Sequence, residues 1–235
     1  MVKLRISATQ LDKWRKFRQF ECYTEDKLIE DLFGEFMPTS QMEIGTACHA
    51  LIDDIIGGKN LDWQLFESLD DNYVGMVYSK NGWKFDAPSI VQVFDHIPTS
   101  PFSLRESKKV TNISIGNYDI ELVAVPDLIF GTTAYDFKTV WKMLDGEDIQ
   151  QYYIDSMQWK VYLLAYHITQ FRYIFIGLDK TQHDDIVSIK DVDSVSCYAY
   201  PTMFREMIDL LEDFGQWIEH RNYLDKFQQK GVLVL

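Results

Sequence analysis

Cysteine is scarce in this chain: Cys22, Cys48 and Cys197 are the three in 235 residues, an odd number without a Cys-x-x-Cys pair. That argues against a disulfide framework, a zinc ribbon or a cysteine-only cluster, and fits a reducing cytoplasm. Long apolar runs are missing too, so no segment is expected to cross a bilayer and no membrane partner is expected. The start, Met1-Val2-Lys3-Leu4-Arg5, runs straight into polar sequence rather than a signal peptide, which predicts a cytoplasmic location. There is no Gly-x-x-x-x-Gly-Lys-Ser/Thr, so no nucleotide-driven motor is expected in the chain. Repeats and low-complexity tracts are absent. Positive charge is in short supply: 23 Lys and Arg against 36 Asp and Glu give a net charge of −13. Such a balance speaks against broad, non-specific binding to nucleic acid.

What is present is an ordinary apolar content, 46%, with abundant aromatics (Trp 6, Tyr 13, Phe 15). The length suits one domain with a substantial core. The few cations are clustered. Lys3, Arg5, Lys13, Arg15, Lys16 and Arg18 face Asp12 alone among the first residues, and Arg105, Lys108 and Lys109 form a second group. Local basic strips of this kind either hold a phosphate backbone or form solvated helix faces.

The run Val125-Pro126-Asp127-Leu128-Ile129-Phe130-Gly131-Thr132-Thr133-Ala134-Tyr135-Asp136-Phe137-Lys138 carries the most chemistry. It reads as two apolar strands joined by a turn at Gly131, Thr132 and Thr133. Strand alternation puts Asp136 and Lys138 on one face and Tyr135 and Phe137 on the other. A turn centred near Thr132 sets Asp127 almost opposite Asp136 and Phe137. Two carboxylates this close repel, and a bound divalent cation is the usual relief. A lysine beside them can handle a water or a developing charge. The plainer alternative is a surface ion pair on an edge strand, with Asp127 capping a turn.

The remaining elements are expected as follows. Residues 7–33 read as helical, with Ser7 or Thr9 as cap and Leu11, Trp14, Phe17 and Phe20 as an apolar stripe. A second helix spans 41–56, with Ser40 and Glu43 as a capping box and Gly57-Gly58 as its stop. His49 lies off its buried stripe, one turn after Gly45. Residues 60–100 suggest a small helical insertion rich in aromatics, with core packing preferred over base stacking. A strand at 103–110 carries Glu106, and Gly116-Asn117 turns into a strand at 118–125. A helix covers 147–168, with Ile149, Tyr152, Tyr153, Met157, Leu164 and Ile168 toward the core. Gln158 and Tyr162 share a face on it. A buried strand at 171–178, a short edge strand at 185–190 and a long helix at 202–228 complete the chain, with Gly215 as a weak point in the last. The order predicts an α/β sandwich around a mixed sheet: one domain over 1–235, with core elements at about 40–58 and 103–190 and a C-terminal helix at 200–230.

Taken together, His49 in Gly45-Thr46-Ala47-Cys48-His49, Asp127 after Pro126, Asp136-Phe137-Lys138, and Gln158-Trp159-Lys160-Val161-Tyr162 resemble the PD-(D/E)XK nucleases. The likeness is to the branch with the nuclease domain of the RecBCD helicase–nuclease and the CRISPR-adaptation nuclease. The opening Ile6-Ser7-Ala8-Thr9-Gln10-Leu11 resembles the start of that branch, and the likeness extends over roughly residues 4–178. It implies a restriction-endonuclease-like core of order α-β-β-β-α-β. It also implies a Mg²⁺ or Mn²⁺ ion held by Asp127, Asp136, the Phe137 carbonyl and His49, with Glu106 as a further acidic residue. Lys138 would be catalytic, and Gln158 and Tyr162 would position the DNA or the active-site hydrogen bonds. The implied activity is phosphodiester hydrolysis on DNA, as an exonuclease in recombination, repair or phage DNA processing. A recombinase, annealing protein or helicase is a candidate partner. A subunit of a CRISPR-adaptation or helicase–nuclease assembly, and a non-catalytic binding domain that keeps the fold, stay open as alternatives. Two departures stand out. Ala124 replaces a glycine common in the branch, and the four cysteines of its iron–sulfur cluster are missing, so no cluster is expected.

Overall fold

The computed structural model describes residues 1–35, 37–67, 74–98, 103–141, 151–181 and 185–230. The chain opens with β1 (Val2–Ser7), α1 (Ala8–Gln19), α2 (Glu25–Phe33) and α3 (Ser40–Ile56), then β2 (Trp63–Glu67), β3 (Val74–Lys80), β4 (Trp83–Asp86) and a short α4 (Ala87–Ile90). Next come β5 (Leu104–Arg105), β6 (Lys109–Ile115), β7 (Tyr118–Ala124), β8 (Leu128–Phe130), β9 (Thr133–Val140) and α5 (Met157–Tyr166). The chain finishes with β10 (Gln170–Lys180), β11 (Ile186–Tyr198), α6 (Met203–His220) and α7 (Leu224–Lys230).

Two sheets result. The smaller has the order β1-β7-β6; the larger, of 8 strands, runs β2-β3-β4-β11-β10-β9-β8-β5. The larger sheet is mixed, because β10 runs parallel to β9 and antiparallel to β11. Its centre is β10, whose stretch Phe171-Arg172-Tyr173-Ile174-Phe175-Ile176 is nearly all apolar, as a strand covered on both faces must be. Phe171, Tyr173 and Phe175 enter one core with residues of α1, α5 and α6, while Ile174, Ile176 and Leu178 enter a second core with α3. Helices therefore cover both faces of a central mixed sheet, as expected.

Several boundaries differ from the sequence reading. Residues 2–7 form an unexpected strand, and the expected helix over 7–33 is two helices. Ser7 does cap α1, in a reciprocal capping box with Gln10. The cap of α3 is Thr39, whose hydroxyl accepts from the Met42 N–H, not Ser40. Trp63–Glu67, Val74–Lys80 and Trp83–Asp86 are three antiparallel strands extending the sheet, not a helical insertion. Trp63, Tyr78 and Phe85 stand opposite one another on one face, which runs from an exposed edge (Trp63, 58% exposed) to a fully buried interior (Phe85), so residue type does not track burial there. Tyr73 and Ile149 lie outside the described residues.

The strand at 186–198 is long and interior rather than a short edge, because β4 pairs with its start and β10 with its length. The expected helix over 147–168 is interrupted: residues 151–154 are helical, and α5 starts afresh at Met157 with Ser156 as its cap. The C-terminal helix breaks at Arg221–Tyr223, where Asn222 takes φ +57, and not at Gly215, which packs on the Tyr118 ring. Among the described residues, no helix is long and apolar enough to cross a membrane.

Candidate active site

The β8–β9 hairpin turns through Gly131 and Thr132, since Phe130 pairs with Thr133. Gly131 has φ +59, a backbone region glycine enters without steric cost. Continuing the register from Leu128 opposite Tyr135 places Asp127 level with Asp136, and Asp127 Oδ2 accepts the Phe137 N–H at 2.6 Å. Asp127 itself lies just before β8, where the chain passes from the small sheet into the large one. That crossing releases its side chain from strand alternation.

Asp136 is 4% exposed. Its Oδ1 accepts from Gln158 Nε2 at 2.9 Å, and its Oδ2 stands 2.5 Å from Lys138 Nζ. The lysine approaches as an ion pair, off the angle of a hydrogen bond, so this buried oxygen accepts none. Burial pushes the Asp127 carboxyl well above the usual carboxylate range, and the neighbouring Asp136 charge adds to the rise. Burial alone would lower the Lys138 ammonium, but the Asp136 charge and contact outweigh it and hold it above its ordinary value. Lys138 is therefore a protonated cation in this site.

Helix α5 adds the supports. Gln158 Nε2 also donates to the Tyr162 hydroxyl at 2.9 Å, and that hydroxyl donates to the Val125 carbonyl at 3.0 Å. One relay thus links the backbone two residues before Asp127 to the carboxylate of Asp136. Gln158 and Tyr162 share a face as their spacing predicts, and they hold the acids rather than pointing away from them.

From α3, His49 sets its ring edge-on to Phe137, with centroids 6.0 Å apart, and it feels the charges of both Asp136 and Lys138. Burial pushes its imidazole down to about 4, so it is neutral near pH 7 and free to act as a ligand or acceptor. Glu106 is exposed and follows β5 in a left-handed bend, φ +43, rather than lying on a strand. Its N–H donates to the Asp127 carbonyl at 3.0 Å, and its charge contributes to the raised Asp127 carboxyl. The structure thus brings Asp127, Asp136, Lys138, Gln158 and Tyr162 together, with His49 and Glu106 at the periphery. Among the described residues, no three His, Cys, Asp or Glu side chains stand at the spacing of a preformed cation cage.

Two aromatic neighbours escaped the sequence reading. Lys138 Nζ lies 5.9 Å from the Tyr173 ring centroid, and Tyr153 sits over Tyr173 at 4.9 Å. The alternation Phe171, Tyr173, Phe175 was the available signal, because aromatics two apart on a strand share a face. The basic strip of the first twenty residues is largely neutralised within the fold. Arg15 and Lys16 pair with Asp12, Arg18 with Asp213 and Arg5 with Glu121, and Lys13 donates to the Asp31 carbonyl. Arg105 of the second cluster is held by Asp53. Of the cysteines, Cys22 is exposed, and Cys48 and Cys197 are buried on different elements.

No family model matches the sequence, and no curated protein matches it. Solved structures do. The chain superposes on LHK-Exo in complex with dAMP, with a TM-score of 0.50 and 9% identity, covering 98% of this chain and 94% of that one. LHK-Exo is an alkaline exonuclease from Laribacter hongkongensis. A phage-related exonuclease from Haemophilus somnus 129PT gives a TM-score of 0.49 at 11% identity, covering 93% and 96%. The fold of this chain is that of LHK-Exo over nearly the whole length of both.

Proposed function

We propose that this chain is a divalent-cation-dependent deoxyribonuclease, an exonuclease hydrolysing phosphodiester bonds in phage DNA processing, recombination or repair. The observation that carries the reading is the Asp127, Asp136 and Lys138 constellation, braced by Gln158 and Tyr162, within a fold shared with an exonuclease. The dAMP held by that structural neighbour supports a nucleotide product. The order of the motifs supports a RecB-nuclease-like branch; action in the cytoplasm, with a recombinase, annealing protein or helicase as partner, belongs to the same proposal.

The residues fit a hard cation. Two carboxylates face one another with their repulsion only partly offset by Lys138 and the Phe137 N–H, and Asp136 Oδ2 is buried without a hydrogen bond. Asp127, Asp136 and the Phe137 carbonyl would hold the ion with His49, and an imidazole in the set favours Mn²⁺ over Mg²⁺. Glu106 would serve as an outer acid. When bound, such an ion lowers the pKa of a coordinated water and polarises a phosphoryl oxygen.

The chain's own groups do the rest. Lys138, kept protonated, presents a fixed positive charge to the developing negative charge on the phosphate and orients the attacking water. Gln158 stops the Asp136 carboxylate from rotating, and Tyr162 fixes the backbone that delivers Asp127. With both acids locked, little reorganisation is needed as the phosphate is attacked.

The test is digestion of end-labelled single- and double-stranded DNA with Mg²⁺ or Mn²⁺, with a covalently closed circle as control. Release of mononucleotides from ends, with the circle intact, is expected. Cutting of the circle would refute a strict exonuclease. Full activity in excess EDTA, or in Lys138→Ala, would sink the chemistry.

A further inference from the structure

Lys138 is a catalytic candidate whose side chain has freedom to leave. It is 24% exposed, on a flexible four-carbon stem. Yet its ammonium is turned inward. It pairs across the ladder with Phe175, two positions beyond the Tyr173–Asp136 pair and so on the same face, and its Nζ reaches back toward both Asp136 and the Tyr173 ring. The ring-to-ammonium distance of 5.9 Å is within the range of a cation–π contact.

The ring is itself immobile. Tyr173 is 0% exposed, and Tyr153 covers it and Phe175 at 4.9 Å and 5.0 Å. The phenol group explains little of this placement. Its hydroxyl lies beside Ser156 yet finds no hydrogen-bond geometry among the described residues. What the site uses is the π face.

We propose that Tyr173 is a positioning residue: its ring is the floor that keeps the Lys138 ammonium in the site, an assignment that rests on the nuclease reading above. Asp136 alone cannot do this, since a carboxylate engaged by a cation or by substrate loses its hold on the lysine. An aromatic face keeps attracting the ammonium whatever the carboxylates are bound to, because its attraction comes from the ring quadrupole and carries no net charge.

The test compares Tyr173→Phe, Tyr173→Leu and a series of mono-, di- and tri-fluorinated phenylalanines at position 173. Fluorination keeps the ring's shape while withdrawing its π charge. Tyr173→Phe is expected to keep the wild-type kcat, since the ring remains. Tyr173→Leu should lose roughly five- to ten-fold in kcat with KM little changed, and the fluorinated series should fall stepwise. A flat fluorinated series, wild-type kcat in Tyr173→Leu, or a loss in Tyr173→Phe as large as in Tyr173→Leu each overturns the assignment.

If Tyr173→Leu fails to fold, the fluorinated series still decides. A second readout needs no activity. In isotope-labelled lysine spectra, the ε-methylene protons of Lys138 should be shifted upfield by the ring current and should relax toward the ordinary position in Tyr173→Leu. An unshifted Lys138 in the wild type removes the aromatic floor even if the protein cleaves DNA. A shifted Lys138 in a protein that does not cleave upholds the contact and removes the nuclease reading instead.

Discussion

Gly45 of α3 faces Thr139 of β9 so closely that a Cβ built on the glycine would stand 2.5 Å from Thr139 Oγ1. The helix approaches the catalytic strand through that missing side chain. One turn later His49 meets Phe137, the residue between the two catalytic candidates of the same strand. Gly45→Ala would gain about 1 kcal/mol of helix propensity but force α3 away from β9, at about 1–3 kcal/mol for overpacking. The expected result is a modest drop in melting temperature with a larger loss of cleavage. Adding Thr139→Ala, which deletes the clashing oxygen, should restore most of both. A double-mutant cycle in which the two changes are simply additive would show that the close approach has no such consequence.

Asp127 illustrates a stability cost carried by the site. Its buried carboxyl, raised by burial and by Asp136, is poorly tolerated in its charged form. Asp127→Asn keeps an acceptor for the Phe137 N–H and removes the charge. The metal-free variant should melt a few degrees higher than the wild type, at roughly 2–4 °C per kcal/mol for a chain of this size. Mn²⁺ should raise the melting temperature of the wild type and leave that of Asp127→Asn unchanged, while cleavage is lost. Calorimetry with and without the ion checks both points.

Asp12 should govern the acid limit of the fold. It is buried, and despite that burial the charge of Arg15, the Met157 N–H and Lys16 hold its carboxyl below 3.8. A lowered pKa means that its stabilisation is complete above 3.8 and is lost as pH falls through the folded value. Asp12→Asn leaves Arg15, 1% exposed, without its counter-charge, which should cost about 3 kcal/mol at neutral pH. Melting curves from about pH 5 down to about pH 2 should show the wild type falling toward the variant. Parallel curves for the two proteins would remove Asp12 from that role.

The thiols give a simple check on the packing. Burial pushes Cys48 up to about 12 and Cys197 up to about 11, whereas Cys22 is exposed. Thiolate, not thiol, is the reactive form. A thiol reagent near neutral pH should therefore modify one cysteine rapidly in the native protein and all three after denaturation. Fast reaction at Cys48 would mean that α3 does not seal its core.

How much of this was legible beforehand depended on how local each signal is. The hairpin from Leu128 to Val140 largely was: a turn centred near Thr132 sets Asp127 almost opposite Asp136 and Phe137, and the structure differs in turning through Gly131 and Thr132 alone, with Thr133 already paired in the strand. Gln158 and Tyr162 were, because helical spacing alone puts them on one face. The strands β2 to β4 were not: Trp63, Tyr78 and Phe85 share a face whose exposure changes from edge to interior, so apolar residues there do not alternate as a half-buried strand would. Nor was the close approach of Gly45 to Thr139, or of Lys138 to Tyr173, since both depend on how separate elements dock. The N-terminal strand was hidden for a related reason. Leu4 and Ile6 are buried, yet their partners on β7 are remote in sequence.

That remoteness has a kinetic side. Val2 to Ser7 pair in parallel with Tyr118 to Val123, so this strand stays without its ladder until the chain as far as Val123 has followed. Closing so long a loop is entropically slow, and an unpaired apolar strand is exposed to aggregation while it waits. Strand β1 also leads directly into α1, whose Asp12 anchors the start of α5 and with it Gln158. The docking of α1 on α5 is therefore a long-range step that fixes the candidate carboxylate of Asp136 through Gln158. A nascent or misfolded chain would carry the acids without their brace.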